Sequence, residues 1–339
     1  MSQATVRQAA RRIADHAEQH RLPEVDICLH GGEPLLAAQR EVELTLAQVQ
    51  AALSPVTRPR FSVQTNGVLL DQSWLDLFAH YGVAVSISVD GNQEAHDRHR
   101  RSRLGRPSHA AVVDAVHLLS TPAYRNLYAG LLAVVDVDTD PAAFLDGLFQ
   151  HDPPQADLLL PHTTWASPPP PTGKWLTAAF DHWYAQRPPR PLRTFESLVG
   201  LLLGSESGCE LLGLNPLGYA IIDTDGAYRQ TEALNAAYDG AAATGLTVFD
   251  ASVDTLLEHP GFAARQTGRA GLAAQCRSCD LVRVCGGGHY AHRYRPGSGF
   301  DNPSVYCDDL QMLITHAGRR VEADVRRAAA AGAGCEARP

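Results

Sequence analysis

The sequence has 339 residues, of which 45% are hydrophobic and 19% charged, with a formal net charge of −8. That length suits two domains, or one barrel with an appendage. The acidic balance argues against a nucleic-acid partner, and no run of about 18 apolar residues exists to form a membrane span. The opening MSQATVRQAARRIADHAEQHRLP lacks the apolar segment of a secretion signal. A cytoplasmic location is therefore expected, where the seven cysteines read as ligands, catalysts or core residues rather than disulfides.

TVRQAARRIADHAEQH has the period of an amphipathic helix, and VDICLH (25–30) is a short apolar strand that places Cys28 in the core. The strand runs into His30-Gly31-Gly32-Glu33-Pro34, a tight bend only thirty residues into the chain. A helix is predicted near 38–53, then the strand FSVQTNG (61–67). DQSWLDLFAHYG (71–82) reads as a helix with a polar start and a terminal glycine. VAVSISVDG (83–91) is a third strand. Helices near 109–120 and 141–150 flank a fourth, 127–138, and ADLLLPH (156–162) is a fifth.

Strands alternating with helices imply parallel βαβ units, in a barrel or an open sheet, with the active site at the C-terminal strand ends. Those ends carry Gly31-Gly32-Glu33, Thr65-Asn66-Gly67 and Asp90-Gly91. Each alone is an ordinary turn; three in succession point to a shared site. Asp136, Asp138 and His162 also lie near strand ends and read as turn residues.

Prolines in SPPPPTGKWL and QRPPRPLR mark a boundary around a helix, WLTAAFDHWYAQ. YAIIDTDGAYRQTE (219–232) reads as a hairpin with an Asp-Gly turn. The end, RRAAAAGAGCEARP, is low-complexity, and Cys335 there is not expected to be a ligand.

Cys276, Cys279, Cys285 and Cys307 follow one another at spacings that let four thiolates meet one centre. Four thiolates suit a structural zinc or an iron–sulfur cluster, and spacing does not separate the two. Gly286-Gly287-Gly288 is read as backbone able to pass close to sulfur and offer it N–H groups. Cys209 has no near partner in sequence and is left unassigned.

LHGGEP, QTNG, SISVDG, AHDRHR and the tail CxxCxxxxxCGGGxYAHRYRPGSGFDNPSVYC, in this order, resemble the radical S-adenosylmethionine (SAM) enzymes with a SPASM-type extension, FxsB-like peptide maturases in particular. The likeness covers roughly residues 1–315. It implies an α/β fold, a partial (β/α) barrel with a C-terminal SPASM-like cysteine domain. The boundaries it suggests are 1–165 for the barrel, 166–205 for a proline-rich helical linker, 206–315 for the iron–sulfur domain and 316–339 for a helix and frayed tail. It also implies a 5′-deoxyadenosyl radical that modifies or cross-links a ribosomally made precursor peptide, with an electron-donating redox protein as a further partner.

By the same resemblance Gly31, Gly32, Glu33 and Pro34 meet the methionyl ammonium of SAM, and Thr65 and Asn66 belong to the next strand end. Ser88 and Asp90 face the ribose, and Arg100 pairs with the methionine carboxylate. Cys276, Cys279, Cys285 and Cys307 match the ligands of one auxiliary 4Fe-4S cluster. A first auxiliary cluster is not expected, because Thr231 and His289 stand where the pattern has cysteines.

One departure is larger. The family holds its catalytic 4Fe-4S cluster by Cys-x-x-x-Cys-x-x-Cys after the first barrel strand, and these 339 residues contain neither that motif nor that strand. Two explanations follow: Met1 is internal to a longer protein, or the chain is a degenerate or split member. The intact strand-end motifs favour the first. The alternatives in function are a non-catalytic peptide-binding pseudoenzyme with a structural iron–sulfur or zinc site, and an unrelated zinc-stabilised α/β protein.

Overall fold

The computed structural model describes residues 1–333, with side-chain environments through residue 330; Cys335 lies outside the described residues, while residues 326–333 of the tail expected to fray continue the C-terminal helix. Five parallel strands form one sheet in sequence order: β1 (Glu24–Leu29), β2 (Arg58–Thr65), β3 (Ala84–Ser88), β4 (Tyr128–Val134) and β5 (Ala156–Leu159). Because every neighbouring pair is parallel, all C-terminal strand ends open on one side.

The crossover helices have local reasons to start and stop. In α1 (Gln3–His20) the Ser2 hydroxyl accepts from Thr5 N–H, and Arg21 closes the helix in the left-handed region. α2 (Gln39–Leu53) packs on α1. α3 (Gln72–Tyr81) is capped by Asp71, which accepts from Trp74 N–H at 3.0 Å, and ends at Gly82. α4 (Gln93–His99) is capped by Asn92, and α5 (His109–Leu119) follows. α6 (Pro141–Phe149) starts on Asp140 with proline in its first turn.

β1 is an edge strand, and this corrects the reading of Cys28. Period-2 alternation puts Cys28 beside Asp26 on the solvent face, and its thiol is exposed. The exposed face also carries Arg60, whose Nε donates to Asp26 at 2.7 Å, and Arg58 paired with Glu24. Charges of this kind discourage pairing with a second chain.

Residues 166–205 carry α7 (Gly173–Ala185) and α8 (Arg193–Leu202), whose Trp175, Phe180, Trp183, Phe195 and Leu198 lie in the main core. Their proline-rich junction covers the other sheet edge: Ala156 N–H donates to Pro191 C=O at 3.0 Å. A small antiparallel sheet follows, β6 (Ile221–Ile222), β7 (Ala227–Arg229) and β8 (Ala243–Thr247), with the hairpin turn at Asp223–Gly226.

The C-terminal helix, Cys307–Ala333, packs along α7. Its Asp309 accepts from the N–H groups of Thr172 and Gly173 at 2.8 and 2.6 Å, so one helix caps another. Tyr306, fully buried, donates its hydroxyl to Pro161 C=O at the end of β5. Trp165 donates through Nε1 to Pro303 C=O. The cysteine-bearing segment is thus docked at the open side of the strands. No helix among the described residues is long and apolar enough to cross a membrane.

Candidate functional site

The strand ends converge through Glu33. Gly31 adopts φ +120°, a backbone conformation that side chains disfavour, and a Cβ on Gly31 or Gly32 would meet open space. Pro34 opens a single 3₁₀ turn, and Glu33 caps it by accepting from Leu35 N–H at 3.0 Å. The same carboxylate accepts from Thr65 Oγ1 at 2.6 Å and from Asn66 N–H at 2.8 Å. One acidic side chain therefore ties the β1 bend to the β2 end. Gln64 reaches across to donate to Ser88 Oγ at 3.0 Å, which brings β3 into the same network.

The resemblance assigns Asp90 and Arg100 to separate parts of a ligand. In the structure they are partners of each other. Arg100 donates through Nε and Nη2 to the two Asp90 oxygens at 2.5 and 3.1 Å, and Val134 N–H also donates to Oδ1. Asp90 is only 3% exposed. A carboxylate inside the fold is retained when it is paired, so this pair joins β3, α4 and β4 rather than facing outward. His96 supports it: Nδ1 accepts from Asp90 N–H and Nε2 meets Ser108 Oγ at 3.1 Å. Burial pushes His96 down to about 4, so the ring is neutral and can accept.

Asp136, read from sequence as a turn residue, is buried and paired with Arg98 at the end of β4. The charge run DRHRRSR hid Arg98 and the Asp90 partner of Arg100, because spacing alone does not show which arginine of a run turns inward.

The cysteine centre lies on the docked segment. Cys276 is buried, Cys285 and Cys307 are half-buried and Cys279 is exposed; all four are free. Burial, and then the neighbouring Cys285, Cys276 and Cys279, push the Cys307 thiol up to about 11. Burial likewise raises Cys285, against an N–H donated from Gly287 and the charge of Arg293. The four sulfurs therefore feel one another's charge.

The glycine run is not a loose loop. Arg293 donates to the carbonyls of Gly286, Gly287 and Gly288 at 2.8, 3.1 and 2.9 Å. A Cβ on Gly286 would stand 1.6 Å from Gly213 C=O, so only glycine fits that crossing. The expected backbone N–H toward sulfur is present at Gly287, and Arg293 adds a cation that sequence reading missed.

Cys209 is half-buried against the main core, with Ser207 Oγ 3.7 Å from its sulfur. Thr231 is buried, and His289 lies near His162 and His292.

The sequence pattern of the Radical SAM superfamily matches residues 4–132. The matched residues take in β1 to β3 and their strand-end turns. The serine-type anaerobic sulfatase-maturating enzyme of Bacteroides thetaiotaomicron is 30% identical over 107 residues, 32% of this chain and 26% of that one. The cysteine-type enzyme of Clostridium perfringens (strain 13 / Type A) is 24% identical over 233 residues, 64% of this chain and 60% of that one. The match thus spans about a quarter of the serine-type relative's length. A solved structure of native anSMEcpe with bound AdoMet and Kp18Cys peptide superposes with a TM-score of 0.80 at 20% identity, over 96% of this chain and 91% of that one. The chain therefore has that protein's fold, a parallel half-barrel sheet flanked by helices.

Proposed function

We propose that the strand-end site binds SAM and that the chain takes part in radical modification of a peptide residue. The observation that carries this reading is the Glu33 network: Gly-Gly-Glu, Thr-Asn and Ser88 stand at adjacent ends of β1, β2 and β3, inside the matched segment. The open space at Gly31 and Gly32 lets backbone carbonyls approach a ligand ammonium, and the Glu33 carboxylate supplies negative charge beside it. The methionine carboxylate of SAM would meet Nη1 of Arg100, since Nε and Nη2 are held by Asp90. Glu33, Thr65, Asn66, Ser88, Asp90 and Arg100 then hold and orient; none of them supplies the radical.

The relatives' printed names and the peptide bound to anSMEcpe support a peptide substrate; a ribosomally made precursor, its cross-linking, an electron-donating redox protein and a cytoplasmic site of action rest on the sequence resemblance alone.

The donor set at Cys276, Cys279, Cys285 and Cys307 fits one auxiliary 4Fe-4S cluster. Zinc at about 2.3 Å from each sulfur draws tetrahedral thiolates to about 3.8 Å from one another. Four thiolates hold either a zinc ion or a cluster, so the cluster reading rests on the sequence resemblance and not on the residue types. When bound, such a cluster supplies one-electron chemistry.

A catalytic cluster does not fit. No three of the seven cysteines follow Cys-x-x-x-Cys-x-x-Cys. No step through that cluster is assigned to these residues, and radical generation requires ligands from outside them. The same fact favours a second reading, a peptide-binding pseudoenzyme that leaves chemistry to another chain.

The test is the intact mass of the protein from its native host, followed by anaerobic incubation with SAM and a reductant. An added segment carrying the missing motif, with 5′-deoxyadenosine released, supports the enzyme. SAM binding without 5′-deoxyadenosine supports the pseudoenzyme, and no SAM binding overturns the strand-end SAM site.

A further inference from the structure

Away from the cysteines, His162, His289 and His292 bring one ring nitrogen each to within 4.8 Å of the other two. Their ring centroids are 5.0 to 6.0 Å apart. His292 is 1% exposed, and neither of its ring nitrogens has a hydrogen-bond partner. Buried polar atoms are nearly always satisfied, so a buried imidazole with both nitrogens unpartnered asks for a ligand. The Pro161 carbonyl lies near the ring and accepts from the Tyr306 hydroxyl at 3.0 Å, but it makes no hydrogen bond of good geometry to either His292 nitrogen. His289 is 8% exposed, and its Nδ1 takes only a long 3.3 Å contact from Ala291 N–H.

We propose that His162, His289 and His292 form a binding site for a divalent cation of the zinc class. Imidazole nitrogen is a preferred donor for zinc and its neighbours, at about 2.0–2.1 Å. Three neutral rings leave the cation its full charge and one coordination position open. Glu210 stands 3.5 Å from His289 Nε2 and is held there by Arg265 and by the Tyr219 hydroxyl. A carboxylate behind a ligating imidazole orients the ring, and Glu210 also offsets the charge of Arg265 next to the site. Glu210 also lines a cavity of about 440 Å³ with Cys209, Tyr219, Arg265 and Tyr290; the cysteine centre's own ligands are not among its lining residues.

Placement gives the site a role. His162 follows β5, while His289 and His292 belong to the cysteine-bearing segment. A cation here ties the strand ends to the docked segment independently of the iron–sulfur centre and of any reaction at Glu33. It uses His289 where the family pattern has a cysteine, so the chemistry changes from thiolate to imidazole.

The experiment is a Co²⁺ titration of the tag-free full chain, isolated anaerobically with its iron. A single site is expected, with visible cobalt d–d absorption, no sulfur-to-cobalt charge transfer, and displacement by Zn²⁺. His162→Ala, at an exposed ring that the fold does not need, and His292→Ala each weaken binding by about tenfold or more. Cys28→Ala, which removes an exposed thiol outside both centres, leaves the signal unchanged. If His292→Ala fails to fold, His162→Ala and His289→Gln decide. No Co²⁺ uptake by the wild type, unchanged affinity in the histidine variants, or a charge-transfer band lost in Cys279→Ala overturns the site.

Discussion

Arg100 and Asp90 make a two-point ion pair in which both carboxylate oxygens and two guanidinium nitrogens are used, with Asp90 also fixed by Val134 N–H. Removing Arg100 leaves a buried, uncompensated carboxylate. Arg100→Ala is therefore expected to lower unfolding free energy by about 3–5 kcal/mol. Arg100→Lys keeps the charge but not the fork and should fall between. Urea unfolding monitored by circular dichroism measures this. A variant that loses SAM affinity at wild-type stability would mean instead that Arg100 serves the ligand and not Asp90.

Glu33 makes a different kind of link, since its three donors come from two strand ends. Glu33→Gln replaces one acceptor oxygen by an N–H₂ facing the Thr65 hydroxyl or the Asn66 N–H. A buried donor set left unmatched costs about 1–3 kcal/mol, and the charge near the proposed ammonium disappears. SAM affinity should drop by at least about tenfold for each 1.4 kcal/mol lost. Isothermal titration against Glu33→Asp separates lost charge from lost reach; equal SAM affinity in Glu33→Gln and wild type would remove Glu33 from the site.

Much of this was legible in the sequence for a physical reason. The βα alternation, the Asp71 and Gly82 caps and the hairpin at Asp223–Gly226 are local, written within a few residues, and the structure places them within a few residues of expectation. The relationships that escaped are those between distant segments. Asp309 capping α7, Arg98 paired with Asp136, and three histidines meeting from positions 162, 289 and 292 depend on how the chain closes on itself. Cys28 escaped because an apolar run looks the same in an edge strand and a central one. Pro168–Pro171 lead from β5 into α7, and Pro188, Pro189 and Pro191 turn the chain from α7 into α8, helices whose buried faces belong to the main core.

His96 makes stability depend on pH. Its folded value, about 4, lies below the ordinary value of 6.5, so the unfolded chain binds the extra proton between those limits. Stability from this group is complete above pH 6.5 and is lost as pH falls toward 4. At 1.36 kcal/mol per pKa unit the loss is on the order of 3 kcal/mol. His96→Gln should flatten that part of the stability profile. The thermal midpoint measured from pH 7 to pH 4 checks it, and an equally steep decline in the variant would place the titrating group elsewhere.

Cys279 is the exposed member of its quartet, so removing it costs little packing. Cys279→Ala is expected to lower iron and acid-labile sulfide while the cluster-free protein keeps its fold, and the loaded form should lose thermal stability across residues 206–315. Because burial and neighbouring thiols raise Cys307 and Cys285, loading has to displace protons and should weaken as pH falls. Wild-type levels of iron, sulfide and stability in Cys279→Ala would exclude the cysteine from the centre. Zinc without sulfide in the wild type would replace the cluster by a structural metal.

Phe180 tests whether the proline-flanked segment is part of the core or a connector. The ring is fully buried between Trp183, Tyr184 and Phe195, and meets His316 of the C-terminal helix edge-on. Phe180→Ala removes those contacts and leaves a cavity that helices held by Asp309 and Tyr306 cannot readily close, at about 3–5 kcal/mol. The same main core runs from Val6 in α1 to Ala317 in the C-terminal helix, so the loss should appear as an earlier unfolding of the whole core, seen equally by barrel and C-terminal probes. A loss confined to the C-terminal probe would make residues 166–205 a connector between separately unfolding units, and would restore the division at 165 and 205 that the prolines suggest.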